Sequence, residues 1–391
     1  MALLCLPLPA LLHLFVRFES APWFQHSLEP FPNFSPSVET LVIHVDHSED
    51  TLSKIEPNYI TRWENLCSVT CSRVILDMAD LVHLSRMPAL TNLEFALGAA
   101  LPTPAPLLVL FKLCFLTLHA ESLAPISQLL CQVQLPTLMS LSAKIVNCPS
   151  DQDLTSFLSG IPTSNTGHTM ERLRLDQSRR HFGDVRRLDL SLGFEDLRPC
   201  MALSNLREME LDIACNVDLT DTQILTLAPA WPKLQRLVIN ERWSWNMSGG
   251  ITPGGLVQLL EMCHSLTWVS LRLDTRGYTK VLPSHAFTNS GWVFPPEFSI
   301  QVLDSAIQAE SVSAVAAFFC DLATCYKSYF GFIGWTTPMM DVPNRFNYQE
   351  RWNEVHRRIG DARRRSTGRD IPVGSLNSVI IDQHLDLSIH Y

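Results

Sequence analysis

The sequence predicts an α/β fold: an irregular leucine-rich-repeat solenoid with parallel strands on the concave face and helices on the convex face. Three observations predict it. A short apolar signature recurs at similar steps, the residues inside it alternate in the manner of a half-buried strand, and helix-like segments separate the copies.

Each signature carries apolar residues at its first, fourth and sixth positions, and often at the eighth. It begins at Val38, Leu66, Leu90, Leu113, Leu138, Val185, Leu206, Leu234 and Leu266. Successive copies lie 23 to 28 residues apart from Val38 to Leu138, and 21 to 32 apart from Val185 to Leu266. Those steps fall in or near the span of a leucine-rich repeat. A further match, Met170-Leu173-Leu175, lies in the long gap before Val185. Alternation at the fourth, sixth and eighth positions puts one face of each strand inward.

The intervening segments read as helices. Met78, Leu81, Val82 and Leu84 share one helical face. Before Leu234, Thr220 is the predicted N-cap, Ile224, Leu225 and Leu227 supply the apolar face, and Pro229 stops the helix. Before Leu266, Thr252 is the predicted N-cap and Pro253 takes the first helical position, where its missing N–H costs nothing. One strand–helix unit cannot cover its own apolar faces, whereas stacked units can. A helical crossover between strands makes them parallel. Eight residues after the first leucine, where regular repeats often carry an asparagine, stand Gly98, Ala214, Arg242 and Asp274. The turns must therefore be satisfied in some other way, and the array should be uneven.

Past Asp274 the signature weakens. Phe298–Ile307 could form another strand, Ser311–Phe330 reads as a helix with Val315, Phe318, Phe319 and Leu322 inward, and a charged helix carries Trp352, Val355 and Ile359 on one face. The resulting division is an N-terminal segment over 1–36, the repeat array over 37–307, and a helical cap with a flexible tail over 308–391.

The chain of 391 residues is 46% hydrophobic and 18% charged, so it can bury a sizeable core. A net charge of −9 argues against nucleic acid as a partner. The eleven cysteines are an odd number without C-x-x-C spacing, and they read as reduced thiols of a cytoplasmic or nuclear protein. No segment offers the ~20 apolar residues of a membrane span. The run Leu3–Leu12 could pass for a signal sequence, but no basic residue precedes it and Pro7 and Pro9 interrupt it. A secreted or surface repeat protein is the alternative, and only there would the sequons at Asn33 and Asn246 matter.

Patterns for chemistry are weak. His44–Asp50 resembles a metal cluster but reads as a strand end running into an acidic loop; no metal or cofactor is expected. Met247–Gly255 is glycine-rich but lacks both phosphate-binding endings. Cys67 with Cys71, and Cys320 with Cys325, read as core thiols. With no nucleophile, base or metal constellation, no catalytic residues are expected. The arginines of His356–Arg369, including Arg363–Arg365, could be an import patch, an RNA contact, a kinase site at Ser366 or a solvated helix end.

The candidate partner-binding residues are Arg242, Trp243 and Trp245, in the loop that follows one strand. Trp and Arg are enriched in binding hot spots. The other reading has the indoles folding back on a neighbouring unit. If they bind, replacing both with Ala weakens capture and spares stability; if they are core, stability falls.

The segments Leu219–Ile239 and Ile251–Asp274, with Leu197–Ile213 and Gln301–Leu322, resemble the leucine-rich region of the large fungal F-box protein group. The resemblance covers roughly Val38 to Leu322. It implies a substrate receptor of a cullin-type ubiquitin ligase, whose array holds a protein substrate. An adaptor would be a partner only where an F-box is present; Leu6–Phe15 is similar to an F-box first helix, but the match does not continue, and the segment could equally be the linker that follows an F-box.

Overall fold

The computed structural model describes residues 11–18, 36–45, 53–54, 60, 63–99, 107–164, 169–178, 190–243, 245, 250–279, 295–326, 329–333 and 345–367. Twelve strands form the path of one large parallel sheet. They are β1 (His13–Phe18), β2 (Thr40–Val45), β3 (Ser68–Ile75), β4 (Asn92–Ala96), β5 (Phe115–Ala120), β6 (Ser140–Ile145), β7 (Arg172–Gln177), β8 (Glu208–Asp212), β9 (Arg236–Ile239), β10 (Trp268–Ser270), β11 (Glu297–Gln301) and β12 (Tyr329–Ile333). Each pairs with its neighbour in the sequence, and every pairing is parallel. The two-residue strand Ser53–Lys54 joins the sheet beside β3, off this path. Sheet order that equals sequence order is the property of a stacked repeat, and the chain is an α/β solenoid of the leucine-rich-repeat kind.

The register follows from the signature. Val69, Leu93, Leu116, Leu141, Leu173, Met209, Leu237 and Val269 stand side by side across the sheet, all buried. A backbone relay runs with them. The carbonyl of Thr91 accepts from the N–H groups of Cys114 and Phe115, that of Met139 from Glu171 and Arg172, and that of Arg207 from Gln235 and Arg236. One carbonyl thus serves two donors of the next unit, which fixes where each strand begins.

Helices α1 (Met78–Leu84), α2 (Ala124–Gln132), α3 (Asp151–Thr163), α4 (Phe194–Leu197), α5 (Asp221–Leu227) and α6 (Pro253–Met262) connect the strands. Helices α7 (Val312–Cys325) and α8 (Arg345–Thr367) flank β12. One continuous apolar cluster joins the inward strand residues to helix residues such as Leu81, Leu129, Phe157, Leu227, Leu259 and Phe319. Caps define the helix starts. Asp77 accepts from the Ala79 and Asp80 amides, Ser150 from Asp153, and Thr252 from Gly255, with Pro253 next in the helix. Neighbouring units are tied by Asp221, whose carboxylate accepts from the amide of Thr252 at 2.8 Å and from its hydroxyl.

Three expectations are corrected. The strand between β6 and β8 is Arg172–Gln177, from the Met170 signature, and not the one beginning at Val185. Residues 185–189 lie outside the described residues; Ser191–Gly193 beyond them pairs with Asn216–Asp218 in a separate two-stranded ribbon. Both stretches of sequence satisfy the same alternation, and the strand pairing separates them. Of the segment resembling an F-box first helix, residues 6–10 lie outside the described residues, and its last three, from His13 to Phe15, belong to an extended strand paired with β2. The parallel sheet also continues past residue 307, through β12.

The missing asparagine ladder is replaced at shifted positions. Asn240, buried with φ of 53°, accepts from the Ile213 amide at 3.2 Å and donates to the Cys215 carbonyl at 2.8 Å. Gln177 accepts from the Ala214 amide at 2.8 Å, and Ser305 from the Leu273 amide at 2.7 Å. Asparagine tolerates the left-handed conformation better than most residues, so one side chain both makes the turn and bonds the preceding unit.

Candidate functional site

The outward positions of the strands form rows across the sheet. The first row runs from Phe115 through Ser140, Arg172, Glu208, Arg236 and Trp268 to Ser299. The second runs from Glu94 through Thr117, Ser142, Arg174, Glu210, Val238 and Ser270 to Gln301. Polar residues at such positions cost the core nothing, because the alternation points them away from it.

Opposite charges alternate between adjacent strands. Arg172 meets Glu208 at 3.3 Å, Arg207 meets Glu171 at 3.5 Å, and Glu210 is held between Arg174 and Arg236. The Arg236 guanidinium also lies 4.6 Å from the centre of the Trp268 ring. Exposed pairs of this kind contribute about 0–1 kcal/mol each. Their larger effect is to hold long side chains in a fixed pattern on an open face. Farther along, His119 Nε2 lies 2.8 Å from Glu94. Burial alone would raise the Glu94 carboxyl, but the hydrogen bond to His119 and the charges of Lys144 and His119 outweigh it and leave it below its ordinary value.

Of the two settings open to the loop after β9, the structure places its indoles in the buried one. Trp243 is 3% exposed and Trp245 is 0% exposed. Trp245 belongs to the central apolar cluster, and its Nε1 donates to the Ile239 carbonyl at 2.8 Å. The reading of these rings as projecting contacts is therefore corrected: an indole of this size gains more from burial than from solvent. Arg242 reaches back across two strands and is bonded to both Asp212 and Asp176. Burial, with the charge of Arg174, brings its guanidinium down to about 10, which leaves it cationic at neutral pH. It is an inter-unit clip with a partly exposed edge.

The same loop closes part of the sheet face. Val238, Ser270 and Gln301 point outward by alternation, yet all are buried. Glu241 is hydrogen-bonded to Gln301, and its carboxyl is raised by burial, with the charge of Arg236 opposing and that of Glu210 adding. Val238 and Trp243 are buried apart from the central cluster. The second row is thus covered over β9–β11, whereas the first row stays open.

On that open row Glu208, Arg236, Trp268, Glu297, Ser299 and Tyr329 line a groove of about 370 Å³. Sequence reasoning passed over these residues. The signal was an aromatic at the outward third position of Leu266–Leu271, where neighbouring strands carry arginine or glutamate.

The remaining motifs separate cleanly. Asp46–Asp50, Asn33, Asn246 and Met247–Gly249 lie outside the described residues. Among the described residues no group of three or more His, Cys, Asp or Glu could hold a metal, and no helix is long and apolar enough to cross a membrane. Cys67 is half-buried, and Cys71, four residues farther along extended chain, is fully buried and donates its thiol hydrogen to the Glu94 carbonyl. Some arginines of α8 reach other elements of the fold, and others bond, among the described residues, only along their own helix. Arg363 donates to the Phe330 carbonyl at 2.9 Å, Arg364 to Asp361, and Arg358 to Glu354 and Ser313.

No known family profile matches the chain, and no curated protein matches it. Among solved structures, an internalin from Listeria monocytogenes is similar at 14% identity, with 87% of this chain and 85% of that one covered and a TM-score of 0.41. A protein from Bacteroides fragilis is similar at 14% identity over 76% and 77% of the two chains, TM-score 0.38. A plant peptide hormone receptor, solved with its peptide, is similar at 12% identity over 87% and 64%, TM-score 0.25. The strand register, not these likenesses, defines the fold.

Proposed function

We propose that the chain is a non-enzymatic protein-recognition module that binds its partner on the open first row of the sheet. The observation that carries this reading is the row itself: ion-paired charges from Arg172 to Arg236 lead to a solvent-facing groove lined by Arg236, Trp268 and Tyr329. Affinity would come from a few anchors in the groove and not from total area. Replacing Arg172 with Gln and Phe115 with Ala should weaken capture of the partner while leaving the urea midpoint nearly unchanged. Unchanged capture would count against this surface.

The finer reading is a substrate receptor of an F-box-type ubiquitin ligase, or a relative lacking the F-box, acting in the cytoplasm or nucleus. The resemblance of Val38–Leu322 to the fungal group supports it. Co-purification of the chain with a ligase adaptor tests it: a stable complex supports direct docking, and its absence separates this polypeptide from that role.

A further inference from the structure

The groove across β9–β12 has a chemical preference written into it. Of its charged residues, Arg236 is committed: its guanidinium is ion-paired with Glu210 and stacked over Trp268. Glu208 is partly committed to Arg172 at 3.3 Å. Glu297 is exposed and makes no ion pair among the described residues. It lies on β11 directly beside Tyr329 of β12, and Trp268 pairs with Ser299 of the same strand two residues on. The groove therefore offers one uncommitted carboxylate with an aromatic ring on either side. The indole already accepts one cation on its face, which shows that its quadrupole is directed at a charged neighbour.

Resting on the reading of this face as the interface, we propose that the groove takes a single basic side chain, arginine or lysine, presented by an extended segment of the partner protein. The cation would pair with Glu297 while its aliphatic stem lies against Tyr329 and Trp268. Charge complementarity selects this occupant. An acidic segment would instead face Glu208 and Glu297, and the chain's net charge of −9 would repel it on approach.

The test uses the full chain and three fluorescent decapeptides with one central residue, Arg, Glu or Ala, in an otherwise identical Ala/Ser/Gly sequence. Anisotropy titrations at 50 and 200 mM salt compare the wild-type chain with Glu297→Gln, Tyr329→Ala and the distant exposed control Glu310→Gln. The expected result is preferential binding of the Arg peptide. Glu297→Gln and Tyr329→Ala should each weaken it about fivefold, and Glu310→Gln should leave it unchanged. Preference for the Glu peptide, equal effects of all three variants, or no discrimination between Arg and Ala would overturn the proposal. Retained dependence of partner capture on Arg172 and Phe115 in that case would leave the interface itself standing and remove only its preference for a cation.

Discussion

Trp245→Ala is the substitution on which the position of the loop after β9 depends most. The ring is fully buried within the apolar cluster, and its Nε1 donates to the Ile239 carbonyl at 2.8 Å. Removing a buried indole costs about 3–5 kcal/mol in lost transfer energy and residual cavity. The Ile239 carbonyl is then left without that donor, which adds about 1–3 kcal/mol unless water replaces it. A loss of about 4 kcal/mol or more is expected. Trp245→Phe keeps much of the volume and loses the donor, so it should cost roughly 1–3 kcal/mol. Because repeat units contact mainly their neighbours, the damage should be local. Urea unfolding followed by far-UV circular dichroism measures the loss, and hydrogen exchange should show it concentrated over β8–β10. A loss below about 1 kcal/mol for Trp245→Ala would refute the core placement and return the ring to the surface.

Four further outcomes are expected. Asn240→Ala should destabilise by about 2–4 kcal/mol, because the Ile213 amide and the Cys215 carbonyl both lose their partner; Asn240→Gly, which relieves only the backbone, should recover a small part in the same unfolding assay. Arg242→Met should cost about 1–3 kcal/mol, since Asp176 and Asp212 lose the cation between them, and added salt should narrow the deficit. The Glu94 carboxyl is depressed in the fold, so its contribution is present above its unfolded value and lost as pH falls through its folded one; His119→Ala should lower the urea midpoint at pH 7 and leave it little changed near pH 3. Burial pushes the thiols of Cys200, Cys215 and Cys263 up to about 12, whereas Cys131 is exposed; mass-mapped alkylation of the native chain should modify Cys131 well before those three.

The core was legible because a strand with one buried face repeats its apolar residues every second position, and Leu237 and Ile239, like Leu173 and Leu175, do so in plain view. The helix starts at Thr252 and Pro253 were legible because caps are local chemistry. The choice between the Met170 and Val185 signatures was not, since both satisfy the alternation and only the pairing of β7 with β6 and β8 separates them. Strand β1 was equally hidden, as its assignment depends on a partner about 27 residues away. The loop failed for another reason. Composition marks Trp243 and Trp245 as a hot spot or as a plug alike, and the decision lies in where the loop folds, with Trp245 in the central apolar cluster and Trp243 buried outside it. Arg236, Trp268 and Tyr329 sat unnoticed at outward positions whose meaning appears only once the rows are aligned.

The most direct measurement is position-resolved photo-crosslinking of the partner. A benzophenone amino acid is placed in turn at four exposed apolar positions. Phe115 (40% exposed) and Tyr329 (45%) lie on the sheet face, and Met262 (39%) and Phe346 (79%) lie on helices. Recognition through the open row predicts adducts from 115 and 329 and none from 262 and 346. Adducts confined to 262 and 346 would contradict it and move the interface to the helices.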